Sequence, residues 1–436
     1  MKKRVVGLFW ALGGCLSLWA SDAAPVELKG IVQFPKSEGL ATSPGGQAGS
    51  HGTLAALMES RPTTPQHAEE ISFLEEGQRK GDLEVLKIDI ATGTVRVTVK
   101  GEPHELSFSV PNTAKKNLPH PADKDAGQDS LGRIWLEGAS WRNALGIYQR
   151  LVGRTLLMSS AITQPARITL VRDEPATKEE LAKAIEKALD GLAFHADGDK
   201  FTVVGREGDF EKLTPELREL ARKLTTKAPR PPGAGVTQES PGKSEPTEEI
   251  IPAGILNFQN TDLSQVLMVF QELVNRTLLR PTLVPGSGIF LRTETPMTRG
   301  EATYALCAVL ALDGVSFVDL GEKFLFAYPT SEEARCKSLF SRNLPSHADS
   351  PATQTMPAGM WNSGLDLSSV SKIYGKLAGQ GVVLDDNLPW TRLSLQPQTP
   401  LTASEALHAL DLLLGWEGLQ VVKSNDGGLK LTRVEK

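Results

Sequence analysis

Pro296-Met297-Thr298-Arg299-Gly300-Glu301 marks a helix start, and the chain carries the pattern three times: Pro175-Ala176-Thr177-Lys178-Glu179-Glu180 precedes it and Pro400-Leu401-Thr402-Ala403-Ser404-Glu405 follows. All three fit P-x-T-x-x-E. The threonine hydroxyl can accept from the backbone N–H three residues on, while the glutamate reaches back to the threonine N–H, so two orphan donors are satisfied together. The proline keeps the chain before it extended. Each pattern therefore predicts a helix, ending at Asp190-Gly191, Asp313-Gly314 or Glu417-Gly418, where glycine supplies the left-handed conformation.

Upstream of each box lies a second helix signal. Ser140-Trp141, Asp262-Leu263 and Asp366-Leu367 place a capping side chain before an apolar run of three-and-four spacing: Trp141/Leu145/Tyr148/Leu151, Leu263/Leu267/Phe270/Leu273 and Leu367/Val370/Tyr374/Leu377. Gly153, Asn275 and Gly379 close these runs. Between the helices, Thr155–Met158, Thr277–Leu279 and Val382–Leu384, then Arg167–Val171, Ile289–Arg292 and Thr391–Leu395, read as strands. After the second helix, Gly198-Asp199-Lys200, Gly321-Glu322-Lys323 and Gly428-Leu429-Lys430 read as hairpin turns. The expected architecture is α+β: tandem repeats of a small β-α-β-β-α-β-β module over residues 132–205, 254–329 and 359–434, joined by flexible linkers.

On these residues the modules resemble the N-terminal periplasmic modules of bacterial secretins, the outer-membrane pores of type II secretion and type IV pilus systems. The second is most similar, through Ile255-Leu256-Asn257-Phe258-Gln259-Asn260-Thr261-Asp262-Leu263 and the Pro296–Glu301 box. The likeness covers about half the chain. It implies a part in protein transport, with a secretin or other secretion or pilus envelope protein as partner and a homo-oligomer as the assembled form. The chain ends at Lys436, after the third module, so the pore-forming barrel of that family is not expected. A similar module opens some TonB-dependent signalling receptors, which gives an alternative reading as a signalling module of a TonB-type system.

The rest of the chain fits this outline. It has 436 residues with 40 glycines and 28 prolines, about one residue in six, against a usual share of about 12%. The excess lies in the joints. Lys2, Lys3 and Arg4 before the apolar run Val5–Ala20 read as an export signal over residues 1–24, which places the chain in the periplasm. Leu12-Gly13-Gly14-Cys15 offers a second reading, a lipoprotein box with Cys15 acylated at the outer membrane. Residues 25–82 read as low-complexity linker with marginal helices, and 83–111 as a small β meander with Leu86/Ile88/Ile90, Val95/Val97/Val99 and Leu106/Phe108/Val110 on one face. Residues 206–253 read as one helix, with Thr214 as cap and Pro215 at its first position, followed by a Pro-rich tether. Residues 330–358 read as a second linker with a short helix near Ser331–Phe340, so the modules are expected as beads on cords rather than a packed solenoid.

Several chemistries are disfavoured. The net charge of -5 offers no basic surface, and no G-x-x-G loop between paired helices occurs, so no nucleic acid partner is expected. Three cysteines without a C-x-x-C pair argue against a cysteine-built metal site, and Cys307 and Cys336 are left either free or bridged. His51, His67, His120 and His347 fall in loops, while His104, His195 and His408 stand without a second histidine nearby, so no metal ligand set is expected. Gly45–Gly49 lacks the strand, helix and lysine of a phosphate loop, and Asp385-Asp386-Asn387 reads as a solvated turn. No G-x-S-x-G elbow is present. No catalytic residue, cofactor or small-molecule substrate is expected. The expected function is a non-catalytic periplasmic scaffold or adaptor, an envelope enzyme with an unrecognised site being a further alternative.

Overall fold

The computed structural model describes residues 26–33, 54–60, 71–89, 92, 94–107, 132–162, 167–226, 249–280, 288–342, 347, 355–358, 364–424 and 427–434. The expected export signal, Gly45–Gly49 and the Pro-rich tether at 227–248 lie outside them. The chain is α+β, with helices and strands in several small sheets. It divides into two units, one of Met1–Asn143 with Arg167–Leu181 and the other of Ala144–Ala166 with Ala182–Lys436. The division falls inside the first module.

The first unit holds β1 (Val26–Gln33), β2 (Leu54–Ser60), β3 (Ile71–Glu75), β4 (Arg79–Lys80), β5 (Leu83–Asp89), β6 (Thr94–Val99), β7 (Glu102–Ser107) and β8 (Gly132–Ala139). After β9 (Thr155–Met158), which belongs to the second unit, β10 (Ile168–Ala176) returns to the first. A five-stranded antiparallel sheet runs β10-β8-β1-β2-β3 and a four-stranded one runs β4-β5-β6-β7. Leu28, Ile31, Ala56, Met58 and Leu74 of the first share one core with Val85, Ile88, Val95, Val97, Val99 and Leu106 of the second.

Two expectations are corrected here. Residues 25–82 are not all linker, because they supply four strands; a bulge between Leu28 and Gly30 breaks the alternation of β1, and in β2 Ala55–Met58 are buried on both faces, which erases period two. In the meander, Val85 and Ile88 are buried while Leu86 is 48% exposed, since a bulge between Val85 and Lys87 reverses the phase. Phe108 and Val110 lie outside the described residues.

The second unit is built of helix pairs on three-stranded sheets. From the first module come β11 (Ala193–Asp197) and β12 (Phe201–Gly205), with the division between the units falling within α1 (Trp141–Val152) and α2 (Lys178–Ala188), followed by the connector helix α3 (Pro215–Thr226). The second module has β13 (Ile250–Ile251), β14 (Asn257–Thr261), α4 (Leu263–Val274), β15 (Thr277–Leu279), β16 (Ile289–Arg292), β17 (Met297–Thr298), α5 (Arg299–Leu312), β18 (Val315–Asp319) and β19 (Phe324–Pro329). Connector helix α6 (Glu333–Phe340) leads to β20 (Thr355–Met356), β21 (Leu365–Asp366), α7 (Leu367–Ala378), β22 (Val382–Leu384), β23 (Arg392–Leu393), β24 (Leu401–Thr402), α8 (Ala403–Trp416), β25 (Leu419–Lys423) and β26 (Leu429–Arg433). The sheets run β9-β12-β11, β15-β19-β18 and β22-β26-β25, each with its outer first strand parallel to the central one. The pairs β13–β17 and β20–β24 extend the modules upstream of residues 254 and 359.

Local chemistry fixes the helix ends. Asn143 N donates to Ser140 Oγ, Ser264 N to Asp262 Oδ1 and Ser369 N to Asp366 Oδ1. Gly153, Asn275 and Gly379 take φ of 64°, 50° and 73°. All three capping boxes are closed in both directions, between Thr177 and Glu180, Thr298 and Glu301, and Thr402 and Glu405.

Beads on cords are not what the second unit contains. Leu157, Phe201 and Val203 of the first module lie in one core with α4 and α5 of the second. Leu279, Phe324, Phe326 and Tyr328 of the second lie in one core with α7 and α8 of the third. Burying these apolar sheet faces contributes far more than the connectors' freedom opposes, because loop closure costs grow only slowly with length. The connector helices join in: Ala221 and Leu224 of α3 share the core of α5, and Cys336 and Leu339 of α6 share that of α8.

Candidate docking surface

The junctions between modules are built from the same atoms twice. At the first, Gln149 Nε2 donates to Arg292 O at 2.6 Å, Glu294 N donates to Thr155 Oγ1 at 3.2 Å, and Lys200 Nζ donates to Glu301 Oε2 at 2.6 Å. At the second, Gln271 Nε2 donates to Gln396 O at 3.4 Å, Gln398 N donates to Thr277 Oγ1 at 3.1 Å, and Lys323 Nζ donates to Glu405 Oε2 at 2.8 Å. Each junction is thus an extended segment just before the P-x-T-x-x-E box, seated between the first helix and outer strand of the preceding module. A glutamine and a threonine read its main chain, and a lysine reads the box. The glutamates carry two opposed influences: burial pushes Glu301 and Glu405 up, but hydrogen bonds from the lysine and the capping N–H, with the lysine charge, outweigh it and hold both below the usual glutamate range.

In the third module these positions are empty of side chains. Gly375 stands four residues before the helix stop, as Gln149 and Gln271 do, and Gly381 two residues after it, as Thr155 and Thr277 do. Both ladders of β26, with β22 and with β25, put Gly427 at the place of Lys200 and Lys323. The sequence had aligned Gly428 and Lys430 with this turn. The ladder corrects it by one residue for the glycine, Gly427 having φ of 85°, and moves Lys430 onto the strand, where it pairs with Asp385 at 3.4 Å. Between α7 and β22 this leaves an open groove of about 480 Å³, lined by Lys372, Gly375, Lys376, Gln380, Gly381 and Val382 among others. The matching groove of the second module, between α4 and β15, retains about 50 Å³ because Ser394 and Gln396 of the third module fill it. Val383 next to the open groove is 65% exposed.

The other candidates resolve differently. His347, expected in a loop, meets Asp411 Oδ2 at 2.5 Å, while Tyr374 Oη donates to Asp411 Oδ1 at 3.0 Å. This corrects the expectation that His408 has no second histidine nearby, since His347 and His408 both act on Asp411. Burial pushes the Asp411 carboxyl up against the pull of His347 and Tyr374, and burial pushes the His408 imidazole down. Both oxygens of Asp411 are occupied in orienting side chains of the third core, and no sequence motif announced the cluster. His195 packs against Phe210 with ring centroids 4.0 Å apart and the planes tilted by 55°, and His104 lies in β7. His51, His67 and His120 lie outside the described residues. Asp385 is tied to Thr432 and Lys430 and caps its own turn through Asp386 N. Cys307 and Cys336 are free and buried. Among the described residues no group of three metal-ligating side chains occurs, and no helix is long and apolar enough to cross a membrane.

Comparison with known proteins finds no matching family model, curated protein or solved structure.

Proposed function

We propose that the chain is a non-catalytic scaffold or adaptor of the periplasm, which self-associates or engages a secretin-type secretion or pilus complex through its modules. The observation that carries the reading is the junction made twice from the same contacts, a groove that takes an extended segment of another module by its main chain. Such a surface recognises protein rather than a small substrate, because main-chain reading supplies affinity for extended polypeptide with little demand on side chains. The secretin assignment rests on the resemblance of Ile255–Leu263 and Pro296–Glu301, and the periplasmic one on the charged-then-apolar start of the sequence. Size-exclusion chromatography with light scattering, together with a pull-down against the periplasmic domains of the secretin from the same cell, tests the reading. It expects an oligomer or a stable complex. A strict monomer that leaves the secretin unbound overturns it.

A further inference from the structure

We infer that the open α7–β22 groove of one chain receives the 171–175 segment of a second copy, giving head-to-tail self-association. The inference rests on the adaptor reading above and specifies its surface. Among the described residues there are three grooves of one kind, between α1 and β9, α4 and β15, and α7 and β22. The chain also has three segments placed just before a P-x-T-x-x-E box: 171–175, 292–296 and 396–400. Internal junctions seat the second segment in the first groove and the third segment in the second. One groove and one segment are left over.

The two leftovers fit in charge. Lys372 and Lys376 stand on the rim of the open groove where the filled groove of the second module has Met268 and Glu272, and both lysines are exposed. The leftover segment reads Val171-Arg172-Asp173-Glu174-Pro175, with two acids where the seated segments have Glu294-Thr295 and Gln398-Thr399. Glu174 is exposed. The strand that carries the segment, β10, is the edge of its sheet, and its ladder with β8 is irregular between Arg172 and Ala176, so this stretch is already lifted out of regular pairing. Glycine at 375 and 381 removes the side chains that read main chain at the internal junctions and widens the groove, so recognition shifts to charge and to backbone.

The association is weaker than the internal junctions. Phe201 and Val203, and Phe324 and Phe326, give those junctions an apolar sheet face; the ladder puts Gly428 and Lys430 at the same places in the third module. Toward the incoming side of the first module, Glu179, Lys183 and Lys187 of α2 are exposed, whereas α5 and α8 are buried nearly all round. A contact of this kind is reversible and salt-sensitive, and being heterologous it yields a ring or a filament rather than a closed dimer.

The test is light scattering of the full chain over a hundredfold range of concentration. The mean mass is expected to rise with concentration at low salt and to fall back toward the monomer at about 0.5 M salt. Lys372→Glu with Lys376→Glu is expected to weaken association about tenfold or more, with the circular dichroism spectrum unchanged because both side chains are exposed. Asp173→Lys with Glu174→Lys should do the same alone. An equimolar mixture of the two charge-reversed variants should regain association, because each groove then meets an oppositely charged segment of the other variant, and one chain carrying all four substitutions should regain it as well. Association that ignores the lysine substitutions, or a quadruple variant that stays monomeric, overturns the groove assignment while secretin binding by the same variants still supports the adaptor reading. A chain that neither associates nor binds the secretin overturns both.

Discussion

Lys323 Nζ donates to Glu405 Oε2 at 2.8 Å, and that oxygen also accepts from the Thr402 backbone N–H at 2.9 Å. The carboxylate that opens α8 therefore also holds the hairpin of the module before it. Lys200, Glu301 and Thr298 repeat the arrangement at 2.6 and 2.8 Å. Helix initiation and module stacking share one side chain at each junction.

That sharing predicts unequal costs for the two partners. The lysine and carboxylate side chains are 36% and 31% exposed, so solvent screens the pair and Lys323→Met should cost about 0.5 kcal/mol. Glu405→Ala loses the pair and half of the capping box and should cost about 1.5 kcal/mol. Urea titrations of both variants and the double variant give the split; equal costs would show that the box contributes nothing. The pH dependence follows from the lowered folded value. Glu405 contributes its stability fully above the usual glutamate range and loses it as pH falls through the folded value, so the gap between wild type and Glu405→Ala should close under acid.

Asp313 predicts the opposite sign. Its Oδ1 accepts from Ser159 Oγ at 2.7 Å and Ser160 N at 2.8 Å, while Oδ2 is buried without a partner. Burial pushes this carboxyl above its usual 3.8, against the hydrogen bonds of both serines and the charge of Lys212. The folded state thus holds the proton more tightly than the unfolded chain does. Stability from this site is full below 3.8 and is lost as pH rises through the folded value. Asp313→Asn keeps the acceptor and removes the charge, so it should raise stability at pH 7 by up to about 1 kcal/mol and do little at pH 4. Thermal melts at the two pH values check this, and a variant that is weaker at pH 7 would contradict the dominance of burial.

The sequence showed the helices and not the stacking. Caps are local: Thr298 and Glu301 stand only three residues apart, and so do Thr402 and Glu405, so their chemistry is written contiguously. Junction contacts join residues from 82 apart, in Lys323 with Glu405, to 143 apart, in Gln149 with Arg292, and no period in the sequence reports them. The uniform burial of α5 and α8 was the available signal, since Tyr304–Leu310 and Leu412–Leu414 are apolar beyond what one core-facing stripe requires. The strands of the first unit were hidden by bulges at Leu28/Gly30 and Val85/Lys87. In the third module, reading the turn at Gly428 concealed the glycine substitutions that empty the groove, because only the ladder of β26 fixes that register.

The two thiols of the second unit supply a further check. Burial pushes the Cys307 thiol far up, and burial followed by the charge of Glu333 pushes the Cys336 thiol up to about 11. Both are inert in the folded chain, since thiolate is the reacting form. In a Cys15→Ser background, a thiol reagent at pH 8 should modify neither residue until denaturant is added and both thereafter. Rapid reaction of Cys336 in the native chain would show that α6 leaves α8 without global unfolding.

Gly375 and Gly415 should separate cleanly on substitution by alanine. A Cβ at Gly375 would stand 2.8 Å from the Gln380 carbonyl oxygen, main chain that turns out of the Gly379 cap and cannot yield. A Cβ at Gly415 would stand 2.7 Å from Leu339 Cδ1, the tip of a side chain that can rotate. Both substitutions gain about 1 kcal/mol of helix propensity, and only the first meets rigid backbone, where overpacking costs about 1–3 kcal/mol. Gly375→Ala should therefore lower stability by about 1 kcal/mol while Gly415→Ala stays within about 0.5 kcal/mol of wild type, as read by urea midpoints. The same crowding bears on the groove: Gly375→Gln, which restores the residue type of Gln149 and Gln271, must displace the Gln380 turn before its amide can reach an incoming segment. It is expected to destabilise the fold at least as much as alanine, and a neutral result would show that the turn moves freely.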